Sequence, residues 1–283
     1  MLELRTLAAG DEALLESFLA AHRDTSMFLR SNARQAGLVY RGQRLGATYV
    51  AGFARGQLVG VAAHAWNGLI LLQAPLETAA VVQACVDASA RPVAGLTGPL
   101  EQVQAAREAL GLTGAPANLE EDEILFVLDA QRLVLPEPRA CGAVSCRPPL
   151  PSERDTLCAW RVAYEIECLG RQDSEELRAR AREWIDAQIE EAVIWVAVLE
   201  GRPVSLSAFN AALPDIVQLG GVYTPPELRG RGYAKAVVAH SVHTGRARGA
   251  TRAVLFTSNP SAMRTYEAVG FRRAGDYGLV LFA

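Results

Sequence analysis

The chain has 283 residues, half of them hydrophobic, and carries 28 basic against 31 acidic side chains, a net charge of −3. That length supports one large core or two ordinary ones, and the charge argues against wholesale nucleic-acid binding. The first residues lack a charged-then-apolar leader pattern and no apolar run reaches membrane-spanning length, so a cytoplasmic protein without a membrane partner is expected.

In chain order, residues 12–22 read as a helix, and 48–54 with 58–65 as a hairpin turning at Arg55-Gly56. A strand over 69–73, a helix over 78–88, a strand over 93–96, a helix over 101–110 and a strand over 124–128 complete the first half. Residues 131–151 hold five prolines without periodicity and read as a linker. The second half begins with a helix over 151–169, Ser152 being its expected cap. A charged helix over 174–191 follows, capped by Asp173 or Ser174. Strands are expected over 193–199, 204–212 and 216–222, then a helix to about 248, a strand over 253–257, a helix over 261–269 and a last strand over 278–282. The matching order of elements implies two copies of one α+β fold. The domain boundaries read 1–135, a linker and first strand over 136–147, and 144–283.

Charge is uneven between segments. From Arg229 onward there are nine basic and two acidic residues, whereas 141–228 holds eight basic and fourteen acidic. This fits an anionic cofactor beside a cationic or amine acceptor, or two solvated faces. Lys235 is the only lysine and reads as compositional bias. The five cysteines (Cys85, Cys141, Cys146, Cys158, Cys168) are odd in number without zinc-type pairing, and reduced thiols with no metal are expected.

Chemistry concentrates where the strand over 216–222 runs into Tyr223-Thr224-Pro225-Pro226-Glu227-Leu228-Arg229-Gly230-Arg231-Gly232-Tyr233-Ala234. A Pro-marked break, two glycines, two arginines and an apolar helix make an anion site out of a helix N-terminus. The spacing is neither that of a Walker loop nor that of a dinucleotide fingerprint. The corresponding turn of the first half, Ala74-Pro75-Leu76-Glu77, has no glycine or arginine, so the first copy reads as a non-catalytic partner.

This loop resembles the Arg-Gly-x-Gly-x-Ala pattern of the GCN5-related N-acetyltransferases (GNAT). Together with Leu255-Phe256-Thr257-Ser258-Asn259-Pro260-Ser261-Ala262-Met263-Arg264-Thr265-Tyr266-Glu267-Ala268-Val269-Gly270-Phe271, it is similar to the branch near the glycine N-acyltransferase-like proteins. The resemblance covers 144–283 well and the first half only as architecture. It implies tandem GNAT-like domains, each a mixed, mostly antiparallel twisted sheet flanked by helices. It also implies acetyl-CoA as co-substrate, without a metal. Backbone amides from Arg229 through Gly230, Arg231, Gly232 and Tyr233 to Ala234 would hold its pyrophosphate. Val222 and Thr224 would pair with the pantetheine arm, a backbone N–H near Val222 or Tyr223 would polarise the thioester, and Asn259 would cap its helix or touch the arm. Tyr266 would be the general acid. No carboxylate stands on the central strand; Glu165 and Glu167, at the end of the 151–169 helix, are the candidate bases, with a water relay as the alternative. The expected partner is a small amine or amino acid, and the chain a monomer or homodimer. A CoA-binding regulator without turnover, a small-thiol acyltransferase like mycothiol synthase and a peptide N-terminal acetylase are the alternatives.

Overall fold

A computed structural model describes residues 1–136 and 144–283; Cys141 lies outside them. The chain divides into two compact units, residues 1–124 with 275–283, and residues 125–274.

The first unit starts from a tight hairpin. Arg55 and Gly56 both take positive φ (52° and 77°), the geometry that matches the twist of the flanking strands β2 (Ala47–Ala54) and β3 (Gln57–Ala65). β1 (Leu2–Thr6) pairs antiparallel with β2, and β4 (Leu69–Gln73) antiparallel with β3 and parallel with β5 (Gly95–Pro99). The alternation of β2 builds two cores. Tyr49, Ala51 and Phe53 face α1 (Glu12–Ala21) and α2 (Met27–Ala36), where Leu15, Leu19 and Leu29 are buried. Val50 faces α3 (Thr78–Ser89) and α4 (Leu100–Ala109) through Val81, Val82 and Val103.

The second unit repeats this layout. β7 (Ser145–Arg147), β8 (Ile194–Leu199), β9 (Arg202–Ala212) and β10 (Ile216–Tyr223) pair antiparallel in turn, and β10 pairs parallel with β11 (Arg252–Thr257). α5 (Arg154–Leu169) and α6 (Glu175–Glu190) bury Leu157 and Ile185 against Ile194, Val196 and Leu206. α7 (Tyr233–Ala247) contacts β8, β9 and β10. Trp195, 2% exposed, lies edge-on to Phe209 at 4.7 Å and 6.4 Å from the His240 ring of α7. α8 (Pro260–Val269) follows β11. Among the described residues, no helix is long and apolar enough to cross a membrane.

Several details depart from the sequence expectations. β1 and α2 were not foreseen, because β1 is a short edge strand and α2 buries polar Arg30, Ser31 and Asn32, which blurs its apolar periodicity. β6 (Ala117–Asp129) is longer than expected, and its residues from Leu125 belong to the second unit, beside β11. β12 (Arg272–Phe282) gives residues 275–283 to the first unit, where Tyr277–Leu281 pairs antiparallel with Pro99–Gly95. The sequence pattern locates a strand; it does not choose its partner sheet, so a linear boundary near 135 misses this exchange. Ser152 lies in a 3₁₀ turn (Pro151–Glu153), and Glu153 is the local anchor, accepting from Leu150 N–H at 2.7 Å and from Arg147. In α6 it is Ser174, not Asp173, whose hydroxyl caps, accepting from Leu177 N–H at 3.1 Å.

His64 gives the first unit a pH signature. It is fully buried, with Nδ1 2.6 Å from the Ser89 hydroxyl and Nε2 3.2 Å from the Pro92 carbonyl. A carbonyl only accepts, so Nε2 carries the proton and Nδ1 accepts from Ser89. Burial, and then the Arg91 guanidinium, pull its pKa from 6.5 to about 4. The unfolded chain therefore binds the extra proton first, and stability is lost as pH falls from 6.5 toward 4. The loss attributable to His64 is on the order of 3 kcal/mol. Urea melts of wild type and His64→Gln between pH 7 and 4 check this: the wild-type midpoint should fall more steeply.

Candidate active site

β10 and β11 begin as neighbours and then separate. Their parallel register runs from Ile216–Arg252 to Gln218–Val254, yet β10 continues to Tyr223 and β11 to Thr257. The β9 side of β10 is also irregular, with register shifts after Gln218 and between Gly220 and Tyr223. Gly221 makes the bend possible. Its φ is +61°, and a Cβ there would stand 3.0 Å from the Trp184 ring and 3.3 Å from Arg161 Nη1. The end of β10 is thus a bent strand segment beside a wedge. A cleft of about 500 Å³ opens there, lined by Val222, Tyr223 and Thr224. Ser205 fixes this corner, its hydroxyl donating to the Tyr223 carbonyl at 3.0 Å and lying 2.8 Å from Thr224 Oγ1.

The glycine loop forms the next wall. After a 3₁₀ turn at Pro226–Leu228, Gly230 and Gly232 take φ of +76° and +81°, and Gly232 is the N-cap of α7. Arg229, Gly230, Gly232, Tyr233, Ala234 and Lys235 all line the cleft. First-turn N–H groups of a helix have no intrahelical partner, so Tyr233, Ala234 and Lys235 present donors at the positive end of the α7 dipole. Arg229 reaches back into the cleft: its Nε donates to the Thr224 carbonyl at 2.9 Å and its Nη2 to Glu167 at 2.7 Å. Arg231 does not line the cleft. It is exposed, and its Nη2 lies 3.3 Å from the Glu227 carbonyl. Two positive-φ glycines, first-turn donors, an arginine and a lysine make a cradle of donors and positive charge that could hold an anion.

α8 closes the third side. Asn259 caps it, its Oδ1 accepting from Ser261 N–H at 2.8 Å and Ala262 N–H at 3.3 Å, and it also borders the cleft. Tyr266 lines the same cleft and is 7% exposed, its ring 6.3 Å from Phe126 and 6.0 Å from Phe271. The two glutamates diverge. Glu167 lines the cleft, whereas Glu165 is set apart from it, ion-paired with Arg161, whose guanidinium stacks 4.1 Å above Trp184. Tyr223 is buried, and that burial followed by the nearby Glu167 raises its phenol pKa.

Residues 155–271 match the family model described as the acetyltransferase (GNAT) family. That stretch lies within the second unit and is what is similar to the GNAT family. That family is one of acetyl-CoA-dependent N-acetyltransferases. The acetyltransferase Atu2258 of Agrobacterium fabrum is 39% identical over 57 residues, 20% of this chain and 42% of that protein, so the match spans less than half of the relative. Solved structures extend the likeness in fold to both units. The GCN5-related N-acetyltransferase of Sphaerobacter thermophilus aligns over 99% of this chain and 94% of its own, with a TM-score of 0.60 and 16% identity. A tandem GNAT protein from the clavulanic acid biosynthesis pathway aligns over 100% and 98%, at TM-score 0.57 and 15% identity. Both units therefore share the fold of these neighbours.

In the second unit the sequence reading missed three contributors. Ser205 is one of two serines on β9, and its contacts with the Tyr223 carbonyl and Thr224 distinguish it. Lys235, set aside as compositional bias, lines the cleft as the third residue of α7. Its place in the first turn after the second glycine was a usable signal. Arg264, two residues before Tyr266 on α8, also borders the cleft.

Proposed function

We propose that the second unit transfers the acetyl group of acetyl-CoA directly to a primary amine of a small molecule or amino acid in the cytoplasm. The observation that carries this reading is the single cleft joining the glycine cradle at α7, the bent end of β10 and the Tyr266 phenol. Bound acetyl-CoA supplies the activated thioester; the chain supplies position and charge. The α7 N-terminus with Arg229 and Lys235 holds the diphosphate. The free edge of β10 at Val222 and Thr224 pairs with the amide-bearing arm as an added strand would. A backbone N–H near Val222 or Tyr223 faces the oxygen on which charge develops. Tyr266 donates its proton to the departing thiolate, and Glu167, the one carboxylate among the described lining residues, is the candidate base for the amine. No covalent enzyme intermediate is needed, because holding both substrates in one cleft supplies the proximity advantage. The narrower likeness to the glycine N-acyltransferase-like branch, drawn from the two motifs, is part of the same proposal.

The first unit is proposed to bind no cofactor. In support, the Gln102 side chain accepts from Ala74 N–H at 2.6 Å, so the backbone just past β4 is already paired. Glu77, an acidic N-cap with φ of 58°, stands at the start of α3, where the second unit has Gly232.

The test is a panel of amines and amino acids incubated with acetyl-CoA and the full chain, with free CoA thiol as the readout. Amine-dependent thiol release is the expected result. Tight acetyl-CoA binding without release for any amine would favour a CoA-binding regulator instead.

A further inference from the structure

Glu167 and Arg229, 62 residues apart in sequence, meet at the diphosphate cradle. Glu167 belongs to the last turn of α5, just before the left-handed cap at Gly170, and its carboxylate accepts from Arg229 Nη2 at 2.7 Å. Arg229 Nε is held on the Thr224 carbonyl, which fixes the guanidinium with Nη2 directed at the carboxylate. The cleft otherwise offers cations, Arg229 and Lys235 at the loop and Arg264 on α8, so a carboxylate beside the loop is out of character with an anion site.

We propose that Glu167 is a built-in competitor for the cofactor: in the free enzyme its carboxylate occupies the Arg229 edge that the diphosphate takes, and cofactor binding releases that carboxylate into the cleft. The proposal rests on the reading of the glycine loop as a diphosphate site. Carboxylate and phosphate oxygens both accept from a guanidinium N–H, so the two anions compete for Arg229 Nη2. The Glu167–Arg229 pair is easily exchanged, because the side chains are 41% and 43% exposed and water screens them. The diphosphate brings more charge and also takes the first-turn N–H groups of α7, which Glu167 does not. Cofactor affinity is thereby held below what the loop alone would give, and the occupied site differs from the empty one by one liberated carboxylate.

Calorimetric titration of CoA into four full-length proteins tests this: wild type, Glu167→Gln, Arg229→Ala and the double variant. Glu167→Gln should bind CoA about threefold more tightly. Arg229→Ala should bind at least about tenfold more weakly. The double variant should match Arg229→Ala, because the competitor has nothing left to compete for. If Glu167→Gln shows no gain while Arg229→Ala is weakened, competition is overturned and the diphosphate reading survives. If the gain persists without Arg229, through-space repulsion replaces the paired competitor. If Arg229→Ala binds as well as wild type, the proposal and the diphosphate reading of Arg229 fall together.

Discussion

Replacing Gly232 with valine should remove acetyl-CoA binding while leaving both units folded. Gly232 sits at φ +81° as the N-cap of α7 and lines the cleft. A left-handed conformation costs an ordinary residue about 1–2 kcal/mol, and a β-branched one resists it further. The loop would relax toward negative φ, turning the first-turn N–H groups away from a shared focus. Each hydrogen bond to a charged group is worth roughly 1.5–3 kcal/mol, so losing two weakens binding by at least about 100-fold. The core of the second unit is untouched by the change, since Trp195, Phe209 and Val237 are buried elsewhere. Titration calorimetry with acetyl-CoA and a thermal melt together check both halves. Unchanged affinity would mean that the cradle lies elsewhere.

Tyr266→Phe should lower kcat by roughly 100-fold, the lower end of what a positioned general acid contributes. Affinity for acetyl-CoA should remain within about twofold, because a near-isosteric ring keeps its packing. The phenylalanine keeps the ring between Phe126 and Phe271 and deletes only the hydroxyl. A phenol near pKa 10 is a suitable donor to a thiolate whose conjugate acid lies near 8.5, so the departing sulfur, not the amine, should be the step that suffers. Substituting a thioester with a more acidic leaving thiol should rescue part of the loss. Full turnover of Tyr266→Phe across the pH range would remove Tyr266 from the chemistry.

What the sequence made legible follows from how local each signal is. The Arg55-Gly56 hairpin, the Asn259-Pro260 helix start and the glycine loop are written in a few consecutive residues, and the structure places them as read. The arginines of that loop were a different matter. Both looked equivalent in sequence, yet Arg229 reaches Thr224 and Glu167 whereas Arg231 lies along the solvent side on Glu227. Which side each takes depends on backbone angles at Gly230 that no residue pattern encodes. Glu165 and Glu167 were likewise indistinguishable as neighbours on one helix. Two positions along α5 turn a side chain by about 200°, so one joins Arg161 and the other lines the cleft. The strand exchange of β6 and β12 was invisible for a related reason: an apolar strand advertises burial, not the sheet that buries it.

One glycine cradle, in the second unit, is proposed to serve the whole chain. Calorimetric stoichiometry of acetyl-CoA binding to the full-length protein tests it most directly. One site per chain is expected in the wild type and none detectable in Gly232→Val. Two sites per chain, or a single site that survives Gly232→Val, would contradict it.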